Sequence, residues 1–163
     1  MIPFSREERE WFLRNLARGL VEYFRTSEPP VAVEEMLNQP PPIYDADFGV
    51  VNMYSSLWDA TFARPPTHRG SVFVRIDLAP EDRRYALARE MLSALITSKH
   101  GRAMGLSDLL LPHLRDSAEY FARYLLVPDD LLKAYRNQGG MNHGFAEHFQ
   151  IPAGVGAVRW TDD

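Results

Sequence analysis

The stretch that decides the fold covers residues 80–99 and reads PEDRRYALAREMLSALITSK. Proline suits the first position of a helix, and Glu81 and Asp82 suit the positive end of the helix dipole. Apolar side chains then recur at helical spacing, at positions 87, 91, 92, 95 and 96. Gly101 follows closely, where helices commonly end. We therefore expect a helix over residues 80–99 with one buried face.

Two segments ahead of this helix are rich in the β-branched and aromatic residues typical of strands. They are residues 48–54 (FGVVNMY) and residues 71–76 (SVFVRI), and residues 58–63 can form a third short strand. Short connections favour antiparallel pairing. We expect a sheet of about three strands over 48–77, largely antiparallel, packed on the 80–99 helix.

Most of the remaining chain shows helical patterns. Residues 5–38 predict N-terminal helices, which begin at a capping box formed by Ser5 and Glu8. A further helix is expected over 114–126 and a small helical cap over 142–160. The expected fold is therefore α+β and mainly helical, with a single domain covering residues 1–163.

Composition excludes several classes of function. The 163 residues include no cysteine, which excludes disulfides, thiolate zinc sites and a cysteine nucleophile. The net charge of −4 and the lack of a basic run do not favour nucleic-acid binding. The cap could imitate a helix-turn-helix, but its second half carries two glycines and one arginine, which favours a structural role. No run of 18 apolar residues and no apolar signal core is present, so we expect a cytoplasmic protein without a membrane anchor.

Four segments occur in an order that resembles the ImmA/IrrE family of bacterial and phage metallopeptidases. Residues 29–36 (PPVAVEEM) are similar to a Pro-Pro-Val-Asp-Val-Glu stretch, and the 80–99 helix takes the place of the family's His-Glu-x-x-His helix. Residues 116–128 (DSAEYFARYLLVP) and 145–152 (FAEHFQIP) resemble two later family motifs. The resemblance covers about residues 10–160 and implies a zincin-like fold.

The same comparison shows that the family's zinc ligands are replaced. Two imidazoles at i and i+4 on one helical face would bind zinc, but Arg89 and Ser93 occupy these positions. An arginine cannot lose its proton to bind a cation, and Glu90 without a metal has no activated water to deprotonate. The family's third ligand is an acid, and Asp116 lies one residue out of register with it. The family's asparagine position is Glu119. We therefore expect no cofactor and no metal.

The charge that replaces the metal suggests a hypothesis about this site. A carboxylate left buried without a cation is costly, and Arg89 supplies a fixed positive charge at the same place. We expect Arg89 to pair with Asp116 or Glu119 of the facing helix. The alternative is that Arg89 and Glu90 are ordinary surface residues of the helix.

Two other catalytic interpretations remain open from the residues alone. A metal could instead be bound by scattered histidines, namely His100, His113, His143 and His148, although their spacing fits no single helical face. Ser93 as a nucleophile lacks a nearby histidine and a Gly-x-Ser-x-Gly turn.

The function that the resemblance implies is a pseudo-peptidase, a protein-binding or regulatory module with Arg89, Glu90, Ser93, Asp116 and Glu119 in a degenerate groove. Active family members cut repressors of the Xre type, so the expected partner is such a repressor or a subunit of a larger complex. The alternatives are a metallopeptidase with unorthodox ligands, and a structural or assembly protein of a phage or mobile-element system.

Overall fold

The computed structural model describes residues 4–44, 48–66 and 69–162. Within these ranges the elements follow the chain in this order: α1 Arg6–Tyr23, α2 Val33–Asn38, β1 Phe48–Met53, β2 Ala60–Ala63, β3 Gly70–Arg75, α3 Pro80–Thr97, α4 Lys99–Ala103, α5 Leu106–Leu110, α6 Leu114–Leu126, α7 Asp129–Asn137, α8 Asn142–Phe149 and α9 Ala153–Thr161. The α+β class, mainly helical with a small three-stranded sheet, is confirmed.

Helix α3 is the centre of the molecule, as its sequence predicts. Its apolar face is almost completely buried, at Leu87, Met91, Leu92, Leu95 and Ile96. The sheet packs on one side of α3 and α6 on another. Side chains from α3, α6, the sheet and the flanking helices form one contiguous buried cluster.

The end of α3 comes at Thr97 because Ser98 starts a new helix. The Ser98 hydroxyl donates to the Leu95 carbonyl at 2.6 Å and accepts from the Gly101 N–H at 3.0 Å. A Cβ at Gly101 would overlap the Leu95 carbonyl oxygen. The glycine therefore permits α4 to fold back tightly on α3, two residues earlier than the predicted end of the helix.

The sheet has the order β1-β3-β2 and is mixed. β2 pairs antiparallel with β3, but β1 pairs parallel with β3, from Phe48 opposite Gly70 to Met53 opposite Arg75. The expectation of a largely antiparallel sheet is therefore wrong for β1. Successive strands do alternate in direction. However, β3 takes the central position, with Val72 and Val74 fully buried, and separates β1 from β2.

The N-terminal and C-terminal helices agree with the sequence prediction. The Ser5 hydroxyl accepts the Glu8 N–H at 3.1 Å, while the Glu8 carboxylate accepts the Ser5 N–H at 2.8 Å, which completes the capping box. Helix α6 has the predicted bounds, and α8 and α9 form the predicted cap. Helices α4, α5 and α7 are additions that the sequence patterns do not predict.

The buried Arg159 of α9 connects the cap to the residues that follow α6. Its side chain donates to the Val127 carbonyl at 3.0 Å and to the Asp129 carboxylate at 2.8 Å. Its guanidinium also lies 4.1 Å from the centre of the Tyr124 ring. This arginine is only 1% exposed. It therefore helps to pack the cap on the rest of the protein and is not accessible to phosphate groups.

A helix that crosses a bilayer needs a long, continuously apolar segment. Over residues 4–44, 48–66 and 69–162, no helix is both long enough and apolar enough to cross a bilayer.

Candidate functional site

Helices α3 and α6 border an open groove, called here the α3–α6 groove. Its lining consists of Arg89, Glu90 and Ser93 of α3 with Leu114, Arg115, Ala118 and Glu119 of α6. The groove has a volume of about 520 Å³, within the range of small-molecule and peptide-side-chain pockets. Four of the five residues predicted for the site, Arg89, Glu90, Ser93 and Glu119, therefore line one groove.

Asp116, the fifth predicted residue, lies elsewhere. It lines a separate polar cavity of about 300 Å³ between α1 and α6, together with Arg6 and Arg9. Asp116 lies about 100° around α6 from Arg115 and, of these two spaces, lines the cavity on the α1 side alone, whereas Glu119 lies between them and borders both the cavity and the groove. The inclusion of Asp116 in the groove is wrong for this reason.

Arg89 does not form the expected ion pair. Within the described ranges it makes no salt bridge with either Asp116 or Glu119, and its buried Nε has no hydrogen-bond partner. Glu119 instead pairs with Arg115 one turn away, at 3.6 Å. The Arg89 guanidinium lies over the Tyr85 ring, 4.9 Å from its centre. Stacking on the preceding turn of its own helix thus replaces the predicted contact across the groove.

Glu90 occupies a more enclosed position beside the sheet. Burial raises the pKa of its carboxyl, although the charge of Arg89 and a hydrogen bond from the Phe62 backbone N–H oppose this shift. Glu90 is therefore partly enclosed between α3 and strand β2, not fully exposed on the surface of the helix.

Strand β2 forms one edge of the sheet. The Arg75 N–H donates to the Asp59 carbonyl at 2.7 Å just before β2 begins, and hydrogen-bonded pairs alternate along an antiparallel ladder. In the observed register, Ala60 and Phe62 therefore turn their N–H and C=O groups away from β3. The Phe62 N–H is the outward group nearest in effect to Glu90, since it lowers the pKa of that carboxyl.

The residues of the groove do not fit a zinc ion. The guanidinium of Arg89 has no lone pair to donate, and the hydroxyl of Ser93 is a poor zinc ligand. Throughout the part of the chain that the structure describes, no three His, Asp or Glu side chains are grouped so that they could hold a metal.

The candidate replacement histidines have other surroundings. His100 makes an edge contact with the Tyr44 ring, with 5.7 Å between centroids, and His148 lies 4.7 Å from the Tyr135 ring. His113 and His143 are exposed. None of the four lines the α3–α6 groove.

Sequence reasoning missed three contributors to the site. Tyr85 supports Arg89, Phe62 engages Glu90, and Arg115 pairs with Glu119. Tyr85 and Arg89 are four residues apart, as are Arg115 and Glu119, and side chains at this spacing contact each other on a helix. The Phe62 contact depends on how the sheet packs on α3, which sequence spacing does not reveal.

Comparisons with known proteins give one informative result. No family model matches the chain, and no curated protein matches it. Among solved structures, a Mycobacterium tuberculosis transcriptional regulator is similar, with a TM-score of 0.66 and 14% sequence identity. The similarity covers 96% of this chain and 51% of that chain, so this chain spans about half its length. At this level of identity the similarity shows a common fold alone.

Proposed function

We propose that this chain is a catalytically inactive, metallopeptidase-like domain that binds a protein partner in the α3–α6 groove and acts as a regulatory module. The observation that carries the proposal is the chemistry of the groove. It is open and of ligand-binding size, yet Arg89 and Ser93 occupy the helical positions i and i+4 at which a zincin carries imidazoles.

The edge of the sheet supports a polypeptide as the bound species. β2 lies at the edge next to α3, and the backbone carbonyls of Ala60 and Phe62 point outward from β3. Extended segments bind such edges through main-chain hydrogen bonds. A partner segment could therefore lie along β2 while a side chain enters the groove beside Glu90.

The similar solved structure supports the regulatory part of the proposal. That protein is a transcriptional regulator, and this chain shares the fold of about half of it. The resemblance to ImmA/IrrE proteins adds a class of partner, a repressor of the Xre type. Both arguments are analogies of fold, and the assignment of Arg89 and Ser93 to ligand positions depends on the second of them.

Site-specific photo-cross-linking in the native host tests the proposal. A photoreactive amino acid at position 115, whose native side chain is 90% exposed at the rim of the groove, would capture the partner on irradiation. The same group at Lys133, an exposed residue of α7, is the control. We expect a discrete adduct from position 115 that is absent from position 133.

A blocking substitution makes the result specific to the groove. Ser93→Trp should fill the groove and abolish the adduct while the circular dichroism spectrum stays native. An adduct that survives Ser93→Trp, one that forms equally from position 133, or the absence of any adduct would contradict the proposal. Cleavage of the captured partner by the wild-type protein would contradict its inactive character.

A further inference from the structure

Arg89 is a cation on the wall of the groove. No carboxylate within the described ranges forms an ion pair with it, and its Nε is buried without a hydrogen-bond partner. A partly buried charge left unpaired is costly. Such a group in a groove is therefore a candidate for completing its contacts with a ligand.

The side chain of Arg89 is also held in place before any ligand binds. Its guanidinium lies 4.9 Å from the centre of the Tyr85 ring, a cation–π arrangement that restricts its motion. An arginine fixed in this way loses less rotational freedom when it binds, which favours affinity.

The neighbouring acids are engaged with other groups. Glu119 pairs with Arg115 at 3.6 Å, and Glu90 lies against strand β2, where burial raises the pKa of its carboxyl. Neither acid forms an ion pair with Arg89. Their presence on the same walls still disfavours a multiply charged anion such as a phosphate group, because like charges repel at short range. A singly charged, planar anion fits this balance better.

We propose that Arg89 binds a carboxylate of the partner polypeptide, from an aspartate or glutamate side chain or from a C-terminus. This inference rests on the proposed function and specifies its ligand chemistry. A carboxylate can accept two parallel hydrogen bonds from a guanidinium. The bound carboxylate would provide the counter-charge that the predicted ion pair with Asp116 or Glu119 does not provide.

Selection from a random peptide library tests this chemistry without knowledge of the natural partner. Random dodecapeptides, displayed with either free or amidated C-termini, would be selected on the wild-type protein and on Arg89→Gln. We expect the wild-type protein to enrich peptides with a carboxylate at one fixed position. Arg89→Gln should bind those peptides about 10- to 100-fold more weakly, the range for a hydrogen bond to a charged group.

Two matched variants separate the role of Arg89 from general charge. Arg102→Gln removes an exposed positive charge of α4 outside the groove and should change affinity by less than about 3-fold, as for an exposed charge. Arg89→Lys keeps the charge but loses the planar fork, so we expect partial binding. Loss of binding when the C-terminus of a selected peptide is amidated would identify the terminal carboxylate as the ligand. Loss of binding only on Asp/Glu→Asn/Gln replacement would identify a side chain.

The possible failures are distinguishable from one another. In one case, selected peptides compete with cross-linking from position 115 and yet need no carboxylate, or bind Arg89→Gln as well as wild type. Either result overturns the inference and leaves the proposed function intact. Failure to select any peptide that competes in the groove overturns the inference, and the absence of a partner adduct overturns the function itself. A folded Arg89→Gln, verified by its thermal melting curve, is required for each reading.

Discussion

At the scale of single residues, Glu90 shows how partial burial changes the behaviour of a carboxyl. It lies on α3 close to the Phe62 backbone of β2. Burial raises its pKa from the ordinary value of 4.5, so folding favours the protonated form. The stability that this group contributes is therefore fully present below the unfolded pKa and lost as pH rises through the higher folded pKa.

Replacement of Glu90 tests this pH dependence. Glu90→Gln keeps the shape of the side chain and removes the partly buried charge, so we expect a higher free energy of unfolding than wild type at pH 7. The difference should vanish at pH 4 and below. Glu90→Asp keeps the charge and should retain the pH dependence of the wild type. Urea unfolding at several pH values measures these differences, and a pH-independent difference would contradict the assignment.

Arg159 is a second residue whose position makes a sharp prediction. Arg159→Met removes the contacts with Val127 and Asp129 and leaves a buried carbonyl without its donor. We expect a loss of about 2–4 kcal/mol, somewhat below the cost of breaking a fully buried pair. At this chain length the melting temperature should fall by about 4–16 °C.

Arg18 offers a matched control for Arg159 on the same carboxylate. It approaches Asp129 at 3.9 Å, but its side chain is 55% exposed. Arg18→Met should therefore change stability by less than about 1 kcal/mol. Equal losses for the two variants would show that burial does not determine the difference.

At the scale of elements, the junction of α3 and α4 depends on one glycine. Gly101→Ala would force its Cβ into the Leu95 carbonyl, so we expect a loss of at least about 2 kcal/mol from strain at a tight contact. Gly154→Ala in α9 has no atom within 4 Å of the added Cβ and should stabilise by about 0.5–1 kcal/mol through helix propensity. Thermal melting of the two variants should show shifts of opposite sign.

The elements also show where sequence patterns suffice. Residues 80–99 and 114–126 have strong apolar periodicity, and their helices form within two residues of the predicted bounds. The order of the strands was not predictable in this way, because alternating direction does not say which strand takes the centre. Helices α4 and α5 have five residues each, too few to show a periodic pattern.

At the scale of the whole molecule, the groove was predicted more successfully than its internal contacts. Helical spacing placed Arg89, Glu90 and Ser93 on one wall, and the resemblance placed α6 opposite. Which face of α6 meets the groove depends on how α1 packs against it. Because of that tertiary contact, Asp116 lines the cavity between α1 and α6, while Glu119 lines the groove but pairs with Arg115.

The thermal stability of the purified protein with zinc and with a chelator tests most directly the claim on which the proposed function rests, that the groove has no zinc site. The donor set predicts the same melting temperature in both conditions. At a genuine site, free zinc at 1,000 times the dissociation constant would add about 4 kcal/mol to the free energy of unfolding. For a chain of this size, that would raise the melting temperature by about 8–16 °C. A rise of that order with zinc would contradict the account.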